Sequence, residues 1–149
     1  MTIKNETPVI KDIHHVTTTW DKGMHFESLA NDHVVHMDKL AIHGGENKGP
    51  RPKSLILSAI GGCTGMEIIA ILEKMRLKID GLEIDVTAEL NDGQPKTYRS
   101  IHIIYKVKSA EPDKEKIERA ISLVEEKYCG VLAMVRSFAE VTSEIQYSN

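Results

Sequence analysis

The chain has 149 residues, enough for one domain that buries about two-thirds of its unfolded surface without disulfide or metal staples. Its net charge of −3, with lysines and acids interspersed, leaves no basic face for a phosphate backbone and no polybasic patch for a membrane, so neither nucleic acid nor lipid is an expected partner. The N-terminus lacks the apolar region of a secretory signal, and the longest uncharged run, Ser54 to Met66, falls short of the roughly 20 residues of a bilayer span. The expected compartment is therefore a reducing cytoplasm, where two cysteines are not by default a structural disulfide.

Residues 1–10 show no periodicity and read as a loose arm on a single domain over 1–149. From Lys11 to Trp20 the composition is β-rich, and Asp21-Lys22-Gly23 supplies turn chemistry for a hairpin into Met24–Leu29. Asn31-Asp32 turns the chain again into a short strand, His33–Met37, giving a meander. Gly44 to Pro52 is a loop by composition, with Pro50 and Pro52 setting its exit into a helix. That helix carries Leu55, Ile56, Leu57, Ile60, Met66, Ile68, Ile69, Ile71, Leu72 and Met75 all round its wheel, the pattern of a helix buried on every side.

After Leu77 the period becomes two. Leu82, Ile84, Val86, Ala88 and Leu90 face one way and Glu83, Asp85, Thr87 and Glu89 the other, turned by Asn91-Asp92-Gly93 into a partner strand with Ile101, Ile103, Tyr105 and Val107 inward. Pro112 opens a one-faced helix through Ile117, Ala120, Ile121, Val124 and Tyr128. A short helical turn from Val131 to Phe138 and a last strand with Val141, Ser143, Ile145 and Tyr147 on one face close the chain. The order predicts an α+β fold with helices against antiparallel sheet. One sheet covers only one side of the central helix. An intimate homodimer pairing two such helices across Ser58, Gly61, Gly62 and Gly65 is the simplest cover for the rest.

Cys63 lies in this apolar helix beside three glycines. A free cysteine so placed most often packs as a small hydrophobe. A helix interrupted at Gly61-Gly62 would instead set Cys63 near free backbone N–H groups that stabilise a thiolate. Cys129, between Tyr128 and Gly130 at a helix boundary, is either a buried cap residue or a thiol able to approach a partner. Six of the seven histidines (His14, His15, His25, His33, His36, His43) fall in the first 43 residues, and they read as solvated strand positions. No Cys or carboxylate completes a ligand set at recognised spacing, so no metal site is expected. The Gly44–Pro52 loop lacks the Gly-Lys-Ser/Thr ending of a phosphate loop, and Glu115–Lys127 is a solvated charged face.

The lead-in Gly44-Gly45 to Pro52, the run Ser54-Leu55-Ile56-Leu57-Ser58-Ala59-Ile60-Gly61-Gly62-Cys63 and the later Glu126-Lys127-Tyr128-Cys129 resemble, in order and spacing, the OsmC/Ohr family, most closely its branch of OsmC-like predicted redox proteins. The resemblance implies an intertwined homodimer, with antiparallel sheets wrapped around long buried central helices and a thiol peroxidase site at the subunit interface. It implies Cys63 as peroxidatic and Cys129 as resolving cysteine, a small-molecule organic hydroperoxide as substrate, an external thiol as reductant, a place in stress response, and no metal, flavin or haem cofactor. Two departures stand out. Lys53 occupies the position where the family's reductases carry Glu, and no Arg precedes Arg51. Lys53, Arg51 and Glu67 are thus the candidates for tuning the thiolate. Lys53 or Arg51 would act only if the loop folds back, because ten helical residues otherwise separate Lys53 from Cys63 by about 15 Å. The alternative is a non-catalytic dimeric protein that binds a small apolar ligand, or senses redox state, beside an inert thiol.

Overall fold

The computed structural model describes residues 13–149; the expected N-terminal arm lies outside them. The chain divides into two compact units, Met1–Pro52 and Lys53–Asn149.

The first unit is the expected meander: β1 (Val16–Lys22), β2 (His25–Ala30) and β3 (His33–Met37) in antiparallel order β1-β2-β3. The first turn falls one step later than the sequence suggests, at Gly23-Met24, with Gly23 at φ +55°. The second is Asn31-Asp32, both in the left-handed region that short polar side chains tolerate. A bulge between Trp20 and Lys22 leaves Asp21 unpaired. The loop that follows closes around one carboxylate. Buried Asp38 accepts N–H bonds from Lys39 (2.7 Å), Glu46 (3.1 Å) and Lys48 (3.1 Å). Gly45 lies so near the Lys39 carbonyl that a Cβ would sit 2.0 Å from its oxygen, which accounts for the glycine there. Little apolar surface is buried in this unit: Trp20 is 62 % exposed, and Val16, Leu29 and Val34 are also exposed.

The second unit holds the core. Its sheet runs β4-β5-β6, with β4 (Gly81–Leu90), β5 (Tyr98–Lys108) and β6 (Glu140–Ser148). The alternation seen in the sequence becomes cross-strand rows: Ile103 pairs Val86 and Ser143, Tyr105 pairs Ile84 and Ile145, Val107 pairs Leu82 and Tyr147. On the outer face Lys106 ion-pairs Glu83 (2.7 Å) and Asp85 (2.5 Å). One expectation is corrected. β6 pairs β5 in parallel, because the helices between them carry the chain back to the same end of the sheet.

Those helices and α1 (Pro52–Lys74) cover the inner face. α1 contributes Ile60, Ile68, Ile71 and Leu72 to a core shared with Ile101, Ile103, Tyr105 and Val107 of β5 and with Ile117, Ala120 and Ile121 of α2 (Lys114–Leu123). Asp113 caps α2, its side chain accepting from the Lys116 N–H. α1 bears on three further readings of the sequence. α1 continues unbroken through Gly61-Gly62. Its outer face is open in the single chain, with Met66 75 % exposed and Ile56 and Ile69 also exposed. At 23 residues it is long and apolar enough to cross a bilayer by length and composition alone, although Ile60, Thr64, Ile68, Ile71 and Leu72 are buried against the rest of its own unit.

Candidate functional site

Cys63 on α1 and Cys129 at the end of the second helical segment are both free thiols, near enough that Cys63 bears on the titration of Cys129. Cys63 is half-buried on α1 and Cys129 buried, at 3 % exposure.

A local change of helical pitch puts Cys129 there. After α2 the chain winds one five-residue π turn, Val124–Tyr128, closed by the Cys129 N–H on the Val124 carbonyl at 2.9 Å. With i→i−5 bonding, the residue that shares Val124's inward face is Cys129, whereas α-helical pitch would have chosen Tyr128. Tyr128, expected inward, is accordingly 54 % exposed. Cys129 then caps α3 (Gly130–Val135), its sulfur accepting the Leu132 N–H at 3.4 Å. Burial pushes the Cys129 thiol up to about 11, helped by neighbouring Cys63 and opposed by the Leu132 and Val131 N–H groups. Cys129 is therefore a neutral S–H donor near pH 7, and Cys63 is the more accessible sulfur.

The same turn brings in residues that sequence reasoning passes over. Glu125 Oε1 accepts a 3.0 Å hydrogen bond from the buried Tyr105 hydroxyl. Burial, with the Glu125 charge beside it, holds Tyr105 protonated far above the usual phenol range. Thr64, the residue after Cys63, is fully buried and donates to the Ile60 carbonyl at 2.8 Å. The exposed Arg136 guanidinium bonds the Glu125 carbonyl. Thr64, Tyr105 and Cys129 are thus buried polar side chains in the same core, with half-buried Glu125 accepting from Tyr105. Tyr105 reads as an ordinary inward strand residue, and Glu125 as one acid of a charged face, so neither carries a sequence signal.

The candidates for tuning the thiolate lie elsewhere. Lys53 belongs to the first turn of α1, and its Nζ donates to the Lys96 carbonyl at 3.1 Å, so it does not fold back toward Cys63. Arg51 donates to Asn47 Oδ1 at 2.7 Å. Glu67 is half-buried one turn beyond Cys63. An open groove of about 740 Å³ runs along α1 and β4, lined by Leu57, Gly61, Gly62, Met66, Ile69 and Val86 among others; neither cysteine lines it.

In the first unit the sheet register gathers a second set of polar groups. His25, Glu27 and His36, scattered in sequence, present side-chain atoms within 4.8 Å of one another. The carboxylate that sequence spacing does not supply is contributed by the direct pairing of Glu27 with His36.

The profile of the family described as OsmC-like protein matches residues 45–144, which include both cysteines. The chain is 30 % identical over 124 residues to protein YhfA of Escherichia coli K12, covering 83 % of this chain and 90 % of YhfA. Among solved structures it is similar to a hypothetical protein of Aquifex aeolicus VF5 (28 % identity, TM-score 0.76, covering 93 % of this chain and all of the other). The organic hydroperoxide resistance protein OhrB of Bacillus subtilis shares the fold at 20 % identity (TM-score 0.63, covering 90 % of this chain and 98 % of OhrB).

Proposed function

Because the chain belongs to the OsmC/Ohr family of OsmC-like proteins, we propose that it is a cytoplasmic, homodimeric, thiol-dependent reductase of organic hydroperoxides that works through Cys63 and Cys129. The observation that carries this reading is a pair of neighbouring free thiols of unequal burial, the inner one held neutral. The Cys63 thiolate attacks one oxygen of ROOH, the O–O bond breaks, and alkoxide leaves to take a proton as ROH. Cys63 becomes a sulfenic acid. The Cys129 thiol then displaces its hydroxyl as water to form the Cys63–Cys129 disulfide, and an external dithiol returns both to thiols while being oxidised itself. Cys63 packs against the apolar core, which favours an organic R group over hydrogen peroxide. The Tyr105 hydroxyl, fixed by Glu125, orients the Cys129 end of the site.

The test is turnover of cumene hydroperoxide against hydrogen peroxide with a dithiol donor, together with trapping of the Cys63 oxidation state. Cys63→Ser should abolish turnover, and Cys129→Ser should leave trapped sulfenic acid without an intramolecular disulfide. A Cys63→Ser protein as fast as the parent would sink the proposal. The engagement of Lys53 with Lys96 favours a second reading, a non-catalytic dimer that holds a small apolar ligand in the groove and carries a sensor thiol. The Cys63 titration separates the two: a midpoint near or above about 8.5 supports binding, and a clearly lower one supports catalysis.

A further inference from the structure

We propose that His25, His36 and Glu27 form a binding site for a divalent transition-metal ion, zinc being the ion to which these donors are best suited, with Asp21 as the outer carboxylate that orients His25. The site belongs to the first unit and is independent of the cysteine chemistry.

The sheet builds the site. His25 and Glu27 lie two apart on β2 and so share a face, and Glu27 pairs directly with His36 on β3. The β1 bulge swings the unpaired Asp21 toward His25, whose Nδ1 donates to Asp21 Oδ2 at 2.9 Å. That hydrogen bond fixes the His25 tautomer, so that Nε2 is the bare nitrogen. A carboxylate behind a histidine, setting which nitrogen is free, is the usual support for a metal-ligating imidazole. His25 is 6 % exposed and cannot swing away.

The spacing suits an ion. His25 Nε2 and His36 Nδ1 are 3.0 Å apart, and His36 Nδ1 and Glu27 Oε1 are 3.5 Å apart. Nitrogen and oxygen ligands about 2.0–2.1 Å from a tetrahedral zinc lie about 3.3–3.4 Å from one another, between those two values. Without metal, the His36 Nδ1–H donates to His25 Nε2. With metal, that proton moves to the solvent-facing His36 Nε2, and the ion takes its place between the two nitrogens without net proton loss. Three protein donors leave the fourth position for water or a ligand. The nearby charge also favours a cation: besides the ligand Glu27, three carboxylates (Asp21, Asp38 and Glu46) lie in this region with two ammonium groups, Lys22 and Lys48. Asp38 is not a ligand, its oxygens being occupied by three backbone N–H groups.

The experiment is calorimetric titration of tag-free, chelator-treated protein with zinc, repeated with cobalt as an optical probe. The expected result is one equivalent per chain, a raised melting temperature, and cobalt spectra of a nitrogen–oxygen site without sulfur charge-transfer absorption. His36→Ala and Glu27→Gln, both at exposed positions that leave the sheet intact by circular dichroism, should remove the equivalent. Asp21→Asn should weaken it by about 10- to 100-fold. His33→Ala, on the opposite face of β3, should change nothing. No saturable uptake, uptake that persists in both His36→Ala and Glu27→Gln, or a cobalt spectrum dominated by sulfur ligation would each overturn the site and leave a hydrogen-bonded histidine pair.

Discussion

Cys129 shows how a single side chain acquires a role from its surroundings. Its thiol is raised from an ordinary 9.0 to about 11, burial being the largest cause. The folded chain therefore holds this proton more tightly than the unfolded chain does. The associated stability is complete below pH 9 and is lost as pH rises toward 11. Denaturation midpoints measured from about pH 8 upward should decline in that window, and the part of the decline due to this thiol should vanish in Cys129→Ala. Iodoacetamide at neutral pH should likewise modify Cys63 well before Cys129. Tyr105 makes a second residue-scale case. Its buried hydroxyl is the donor to Glu125, and a hydrogen bond to a charged group contributes about 1.5–3 kcal/mol. Tyr105→Phe should lower urea-measured stability by a similar amount and should slow disulfide formation after peroxide treatment. A purely structural tyrosine would lower stability alone.

The elements divide according to whether local chemistry or distant pairing decides them. β4 and β5 are legible in the sequence because both inner faces repeat every second residue, and α2 because its apolar stripe follows Pro112. The pitch change at Val124–Tyr128 is not, since the same residues fit an α-helical wheel and only the Cys129 N–H bond to Val124 distinguishes the two. The parallel pairing of β6 and the histidine–glutamate cluster are hidden for a related reason: each depends on register between segments, and spacing along one strand does not encode it. In the sequence Gly61-Gly62 admits either a continuous helix or a break, because glycine lowers helix propensity by about 1 kcal/mol. Packing overrides that preference. A Cβ on Gly61 would stand 3.9 Å from Val86 Cγ2, an ordinary contact, whereas one on Gly65 would come within 3.1 Å of Ile84 Cδ1. Gly65→Val should thus destabilise the second unit in urea melts by crowding β4.

For the molecule as a whole, the decisive quantity is the apolar surface that one chain leaves in water. The sequence of α1 is apolar all round, yet within the chain only one side of the helix is buried. The uncovered side, Leu57, Gly61, Gly62, Met66 and Ile69, lies against Leu82, Ile84 and Val86 in an open groove, while Trp20, Val16, Leu29 and Val34 of the first unit are exposed as well. Contiguous apolar surface of this kind is a mark of association. Small residues at Ser58, Gly61, Gly62 and Gly65 let another helix approach closely, and a second copy of α1 offers the matching face. Nothing within 4 Å would meet a Cβ on Gly62 in the single chain, so Gly62→Ala distinguishes the cases. In a monomer it should stabilise by about 1 kcal/mol through helix propensity; in a dimer it should weaken association. Met66→Glu is the stronger test, placing a charge at the centre of the open face. Sedimentation of the parent at micromolar concentration should give a dimer and that of Met66→Glu a monomer. A monomeric parent would refute the paired-helix arrangement while leaving the pairing of neighbours Cys63 and Cys129, which lies within one unit, untouched.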